Sequence, residues 1–237
     1  MMFSLKRIFL RKSRQPFRTR DYWESRYVSG ETSGPGSYGK QAEFKAKIVN
    51  DFVRGHHVES IIEFGCGDGN QLLLAEYPHY IGLDVSPTAL SICMEKFSDD
   101  VTKSFFLYDS RCFIDNARLF QADLALSLDV IYHLIEDDVF RAHMKHLFAS
   151  AKKFVIIYSC DFEDTSANWE EHNVPRKFTE YVAENFPCWS LNEKIDNIYP
   201  YDPSTGEGSW SDFYVYALDQ EAGAQTRERH AYSDHSI

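Results

Sequence analysis

The segment VESIIEFGCGDGNQLLL, residues 58–74, constrains this chain more than any other stretch. Ile61, Ile62 and Phe64 form a short apolar run suited to a strand buried on both faces, with Glu63 inside it. Gly65, Cys66, Gly67, Asp68 and Gly69 follow at once, and residues 70–76 then read as a helix. Strand, glycine turn and helix predict the first unit of a nucleotide-binding fold. Glycines at alternate positions permit positive φ and leave no Cβ in the way of a ligand. The first helical turn would offer free N–H groups to an anion. The next apolar run, 80–83, ends in Asp84. A carboxylate at a second strand tip, roughly 20 residues past the first glycine, can accept both hydroxyls of a ribose. A nucleoside site is the leading reading.

Alternation continues along the chain. Strand-like runs at 104–108, 123–128 and 153–159 end near Asp109 and Ser110, at Asp129, and at Ser159. Helices are expected over 21–27 with Asp21 as cap, over 41–54 with Phe44, Ile48, Phe52 and Val53 on one face, over 86–97 opened by Ser86 and Pro87, over 137–151, and over 174–186 with Pro175 in the first turn. Residues 29–40, SGETSGPGSYGK, read as a linker or a mobile lid carrying Tyr38. Two further strand-like runs, 189–198 and 211–218, close the fold. The expected class is α/β: a Rossmann-like doubly wound sheet of about seven strands, mostly parallel, with a C-terminal antiparallel strand and an N-terminal helical cap. One domain over 21–218 is expected, between a basic segment at 1–20 and a loose polar tail at 219–237.

Charge and cysteine usage narrow the classes. A formal charge of −11 argues against broad nucleic-acid binding, which needs a basic face. The first twenty residues run the other way, with seven Lys and Arg, no acid and interleaved apolar residues. They read as a frayed basic terminus, or as a peripheral contact with an anionic membrane or an acidic partner. Five cysteines without a C-x-x-C pair and without a signal peptide suit a reducing cytoplasm. No cluster of His, Cys and carboxylates has metal-ligand spacing, so no metal is expected. His143 and His146 stand i, i+3 without a carboxylate partner on that face and read as surface residues.

The turn is G-x-G-x-G with an acid two residues before the first glycine, and it is joined by GLDVS, YDS and SLDVIYHL. This combination resembles the class I S-adenosylmethionine (SAM) methyltransferases, over nearly the whole chain from Tyr22 to Leu218. More narrowly, DYWESRY, GSYGKQAEFKA, SLDVIYHLIED and FVIIYS resemble a bacterial branch associated with surface-polysaccharide gene clusters. That branch tends to carry a second basic residue where Pro175 stands.

The resemblance implies SAM as cofactor. Gly65, Gly67 and Gly69 would line its methionine half, Asp84 would hold the ribose, and Asp109 with Ser110 the adenine. Tyr22 and Tyr38 would close over it, and Glu63, Cys66, Val85 and Asp129 would complete the cofactor site. His133, just past the fourth strand, would be the general base, with His172 the second candidate. Tyr132 and Arg176 would meet the acceptor. The expected activity is O-methylation of a sugar hydroxyl or phosphoryl-linked oxygen in capsule or surface-polysaccharide synthesis, on a small-molecule or glycan acceptor. Methylation of another small molecule, an NAD(P)-dependent oxidoreductase and a non-catalytic scaffold are the alternatives.

Overall fold

The computed structural model describes residues 17–164, 166 and 169–219. The expectations for residues 1–16 and 220–237 lie outside them. Strands β1 (Ser60–Phe64), β2 (His79–Asp84), β3 (Lys103–Leu107), β4 (Ala122–Leu128), β5 (Ala151–Ser159), β6 (Trp189–Ile195) and β7 (Asp212–Leu218) form one sheet in the order β3-β2-β1-β4-β5-β7-β6. Strands β1 to β5 pair in parallel, and β7 runs antiparallel to both neighbours, β5 and β6. This is the mostly parallel doubly wound sheet that the alternation predicted.

The period of two along each strand sorts side chains onto two cores. Ile62, Phe64, Ala125, Val155 and Ile157 face one side, with Met144 and Leu147 of α4 (Asp137–Ser150) and Phe178 of α5 (Phe178–Asn185). Ile61, Leu124, Leu126, Ile156 and Tyr158 face the other, with Val49 and Val53 of α2 (Gly39–Gly55) and Leu90 of α3 (Pro87–Lys96). All seven residues of β4 are buried, as expected of a central parallel strand covered on both faces.

Local expectations fail in four places. Residues 70–76 form only a 3-10 turn, Gln71–Leu74, because Pro78 limits the run and Asp68 Oδ1 takes the Asn70 N–H. The first helix, α1 (Thr19–Val28), begins before Asp21, with Arg18 at its N-cap and no side-chain cap bond there. Glu136 supplies the missing acceptor from across the fold, taking the Thr19 N–H at 3.2 Å and the Thr19 hydroxyl at 2.6 Å. Residues 17–20 therefore belong to the domain rather than to a basic tail. The predicted helix 174–186 is reduced to α5, and residues 174–177 stay irregular ahead of it.

Candidate active site

Strand order reverses between β1 and β4, and a crevice opens beyond the carboxyl ends at such a switch point. A cavity of about 490 Å³ lies there, within the range of small-molecule sites. Its floor comes from the four strand tips: Gly65 after β1, Asp84 ending β2, Asp109 after β3 and Asp129 after β4. Helix α1 forms the roof. It is tied on one side through Thr19 to Glu136 and the His133 carbonyl. On the other side Ser86 Oγ and Thr88 Oγ1 donate to Glu24 at 2.5 and 2.7 Å.

Asp84 is held by backbone alone. Gly67 N–H donates to Oδ2 and Ser86 N–H to Oδ1, both at 2.9 Å, which leaves each oxygen further accepting capacity toward the cavity. Burial pushes its carboxyl up to about 6 against those two N–H bonds. Glu63, beneath it, accepts from Tyr80 OH at 2.6 Å and is pushed up to about 7 by burial. Gln71 Nε2 donates to the Ala42 carbonyl, while Gln71 Oε1 is buried and receives no hydrogen bond from the protein. An oxygen left over in a cavity wall suits a ligand donor such as an ammonium. A ribose acceptor, an unsatisfied carbonyl oxygen and a cavity of this size fit a nucleoside joined to an amino acid.

The glycine turn works differently from expectation. A Cβ on Gly67 would sit 2.4 Å from Ser33 Oγ, and on Gly65 2.5 Å from Val130 Cγ2, at φ +57° and +92°. Both therefore serve close approach of the protein's own loops as well as the cavity. Gly69 packs on Cys93 and Phe97 of the α3 region and does not line the cavity. The turn's N–H groups are taken up internally, Gly67 by Asp84 and Asp68 by Ser33 Oγ, so no anion nest forms.

Glu63, Cys66, Val85, Asp109, Ser110, Asp129 and His133 line the cavity together with Gly65, Gly67 and Asp84. Asp109 is engaged on arrival: Arg111 forks onto both carboxylate oxygens and Arg20 adds 3.1 Å to Oδ2. These contacts, Arg111 foremost, hold it at about 2. An adenine amine would have to share that carboxylate with two guanidinium groups.

Asp129 adopts φ +58° and anchors a polar knot. Lys45 Nζ stands 2.5 Å from Oδ2, and Tyr132 OH and Ser211 Oγ approach Oδ1 at 3.0 and 3.4 Å. Lys45 is 1% exposed, an α2 cation turned into the core that hydrophobic periodicity could not flag.

His133 follows on a 3-10 turn, Ile131–His133, enclosed by the rings of Trp23, Tyr132 and His172. Its Nδ1 lies 3.0 Å from the His172 carbonyl oxygen, which can only accept, so Nδ1 carries the proton and Nε2 keeps its lone pair. Burial pushes the ring down to about 4. It is a neutral base at physiological pH, weaker than an ordinary imidazole.

Five other expected residues stand off the cavity. Tyr22 stacks on His172 at 4.6 Å and Tyr38 OH donates to Asp68. Trp23 and Tyr27, with Thr19, occupy the roof face instead, because i, i+4 and i+8 share one side of a helix. Tyr132 supports Asp129 from behind. His172 serves His133 through its carbonyl, while its own Nε2 pairs with Glu170 at 3.3 Å. Arg176 is not presented to an acceptor: Nε and Nη2 donate to the carbonyls of Leu134 and Ile135, and Nη1 pairs with Asp137 at 2.8 Å. It staples the loop between β4 and α4. His143, expected at the surface, is 2% exposed and shares a 3.0 Å hydrogen bond with Ser127 Oγ at the cavity wall.

Asp84→Ala is expected to weaken binding of S-adenosylhomocysteine (SAH) by about 1–3 kcal/mol, the scale of hydrogen bonds to a charged group. Titration calorimetry reads this directly, and NAD should give no heat. In the unsubstituted protein, SAH affinity should fall as pH drops through about 6, where Asp84 takes its proton, and Glu63→Gln should keep that profile. A flat profile from pH 7 to 5 would remove Asp84 from the ribose site.

No protein-family profile matches the chain. It is 29% identical over 167 residues to a small RNA 2'-O-methyltransferase of Arabidopsis thaliana, covering 58% of this chain and 18% of that protein. The chain thus spans less than a fifth of that relative's length. Among solved structures it is similar to the N-methyltransferase NodS of Bradyrhizobium japonicum in complex with SAH, at TM-score 0.66 and 14% identity over 85% of this chain and 99% of that one. It is also similar to the methyltransferase domain of bacterial CtHen1-C, at TM-score 0.58 and 21% identity over 74% and 97% of the two chains. A third is magnesium protoporphyrin IX methyltransferase of Synechocystis with bound SAH, at TM-score 0.60 and 14% identity over 84% and 98%. The chain has the class I SAM-dependent methyltransferase fold. The Arabidopsis relative's substrate conflicts with the exclusion of nucleic acid drawn from overall charge, since a net value says nothing about one face.

Proposed function

We propose that this chain is a SAM-dependent methyltransferase acting on a sugar hydroxyl, in synthesis of a bacterial surface polysaccharide such as capsule. The observation that carries the reading is a pair of groups lining one cavity, Asp84 with its backbone-held carboxylate and His133 with its Nδ1–H held by the His172 carbonyl. SAM supplies an electrophilic methyl on a sulfonium. Asp84 would accept the ribose hydroxyls and Gln71 Oε1 the amino group, which fixes the sulfur toward the β4 edge. Asp129, neutralised by Lys45, and His133 border that edge. An acceptor hydroxyl held in line there would give its proton to His133 as its oxygen takes the methyl, the O–C bond forming while the S–C bond of the sulfonium breaks and SAH leaves as the neutral thioether.

Support for a polysaccharide acceptor is the motif resemblance carried by DYWESRY and SLDVIYHLIED. A ribose hydroxyl of RNA is the second reading, favoured by the Arabidopsis relative. Incubation with methyl-labelled SAM and a mixture of glycans, nucleotide sugars and short RNAs, read by mass spectrometry, tests both. Label on RNA and on no glycan would overturn the polysaccharide assignment.

Activity is expected to survive EDTA unchanged. Among the described residues no group of three or more His, Cys, Asp or Glu is placed to hold a metal ion, and the sulfonium needs no Lewis acid. Turnover lost in EDTA and restored by a divalent ion would contradict this. Among the described residues no helix is long and apolar enough to cross a membrane.

A further inference from the structure

Two segments far apart in sequence bring four aromatic rings together. Phe162 and Trp169 lie between β5 and α5, and Tyr201 and Trp210 lie between β6 and β7. Tyr201 stacks on Trp210 at 4.5 Å, Phe162 meets Trp210 and Trp169 at 6.0 Å each, and Trp169 stands 6.5 Å from Trp210. The Trp169 indole is oriented by its Nε1–H, which donates to Asp164 Oδ2 at 2.9 Å. These rings are not sealed into a core, since Trp210 is 50% exposed. The cluster is coupled to the chemistry by one residue: Ser211, next to Trp210, is buried with its hydroxyl 3.4 Å from Asp129 Oδ1.

The electrostatics of the surroundings select among ligands that stack on aromatic faces. Residues 161–175 and 199–211 contain seven Asp and Glu and not one Lys or Arg. Lys40 pairs with Glu207 at 3.1 Å, and Lys177, just past the first segment, lies within electrostatic reach of Asp161 and Glu163 but is itself paired with Glu180. A nucleic-acid stacking platform is flanked by a basic groove that tracks phosphates. Here the carboxylates would repel a phosphodiester chain and equally an anionic sugar. An uncharged sugar ring meets both features. Its C–H faces pack on indole and phenol rings, and its hydroxyls donate to flanking carboxylates.

We infer that Phe162, Trp169, Tyr201 and Trp210 form the acceptor subsite, a platform for an uncharged glycosyl ring whose hydroxyl is presented to the Asp129 and His133 edge. This rests on the sugar-hydroxyl reading above and narrows it, since it sets aside phosphorylated and acidic acceptors.

The four tryptophans, Trp23, Trp169, Trp189 and Trp210, make the test separable. The full chain labelled with 5-fluorotryptophan gives one fluorine resonance for each, assigned by single Trp-to-Phe substitutions. SAH should move Trp23, which lines the cofactor cavity. With SAH present, a panel of methyl glycosides of neutral hexoses, deoxyhexoses and N-acetylhexosamines, taken to tens of millimolar, should move Trp169 and Trp210 saturably. Trp189, packed on Phe148 at 5.3 Å, should stay fixed. Trp210→Ala, and independently Tyr201→Ala, should weaken the responding glycoside about tenfold or more, as truncation of an aromatic anchor does. SAH affinity in both variants should stay within about twofold, because neither Tyr201 nor Trp210 lines the cofactor cavity.

The inference is overturned if no neutral glycoside moves Trp169 or Trp210, if a short single-stranded RNA moves them at lower concentration than any glycoside, or if both variants bind the responding glycoside like the parent. A Trp23 resonance that ignores SAH would instead defeat the methyltransferase reading, while the glycoside titration would still report on the platform.

Discussion

His133→Ala is expected to lower kcat near the bottom of the about 10²–10⁴-fold range that a positioned general base contributes. The lower end is chosen because burial holds the ring at about 4, and a weaker base takes a hydroxyl proton less readily. SAH affinity should be nearly unchanged, since Asp84 ends β2 and Gln71 lies in the turn Gln71–Leu74, both on segments other than the one that carries His133. The unsubstituted enzyme should keep its kcat as pH falls from 7 toward about 4, where Nε2 finally protonates, while kcat/KM for SAM should already decline near 6 with Asp84. Two acid limbs in two kinetic parameters separate the two groups. Wild-type turnover by His133→Ala would reduce the residue to a structural role and point to an acceptor that is ionised before it binds. His172→Ala should do much less than His133→Ala, because its backbone carbonyl, which fixes the His133 tautomer, survives the substitution.

Lys45→Met should destabilise the fold by about 3–5 kcal/mol, the cost of stripping one partner from a buried ion pair. Lys45 is 1% exposed and Asp129 15% on the side chain, so the stranded carboxylate has little water to turn to. Its remaining donors, the Tyr132 and Ser211 hydroxyls, place the expectation at the lower end. Urea unfolding with SAH absent measures it. The double variant Lys45→Met with Asp129→Asn should recover much of the loss, because no charge is then left unpaired. An additive double variant would mean that Lys45 acts through its packing against Tyr158 rather than through the pair.

The glycine turn, Asp84 and all seven strands were legible in the sequence for a common reason. Each is written locally, in an apolar run of period two, a turn needing positive φ, or a polar residue at a strand tip. Even the reversed last strand left its trace in the 211–218 run. Local writing was less reliable where short elements depend on neighbours. The turn Gln71–Leu74 has too few residues to sustain a helix, and α1 takes its cap from Glu136 rather than from its own sequence.

Tertiary structure decided which of several plausible side chains face the cavity. Tyr22 and Tyr38 were the aromatic residues expected over the cofactor, yet a rotation of about 100° per helical residue turns Trp23 and Tyr27 inward instead. Arg176 reads as an anion ligand until its donors are found on the Leu134 and Ile135 carbonyls. The Lys45–Asp129 pair joins residues 84 positions apart, and the aromatic platform joins two loops across β5, α5 and β6. Sequence by itself determined the parallel sheet, its glycine turn and the carboxylate of Asp84 at the second strand tip, because short-range backbone preference and burial period specify them. Only the folded chain decided the tautomer of His133, the Lys45 partner of Asp129 and the aromatic cluster of Phe162, Trp169, Tyr201 and Trp210, because those depend on distances between segments that no local pattern encodes.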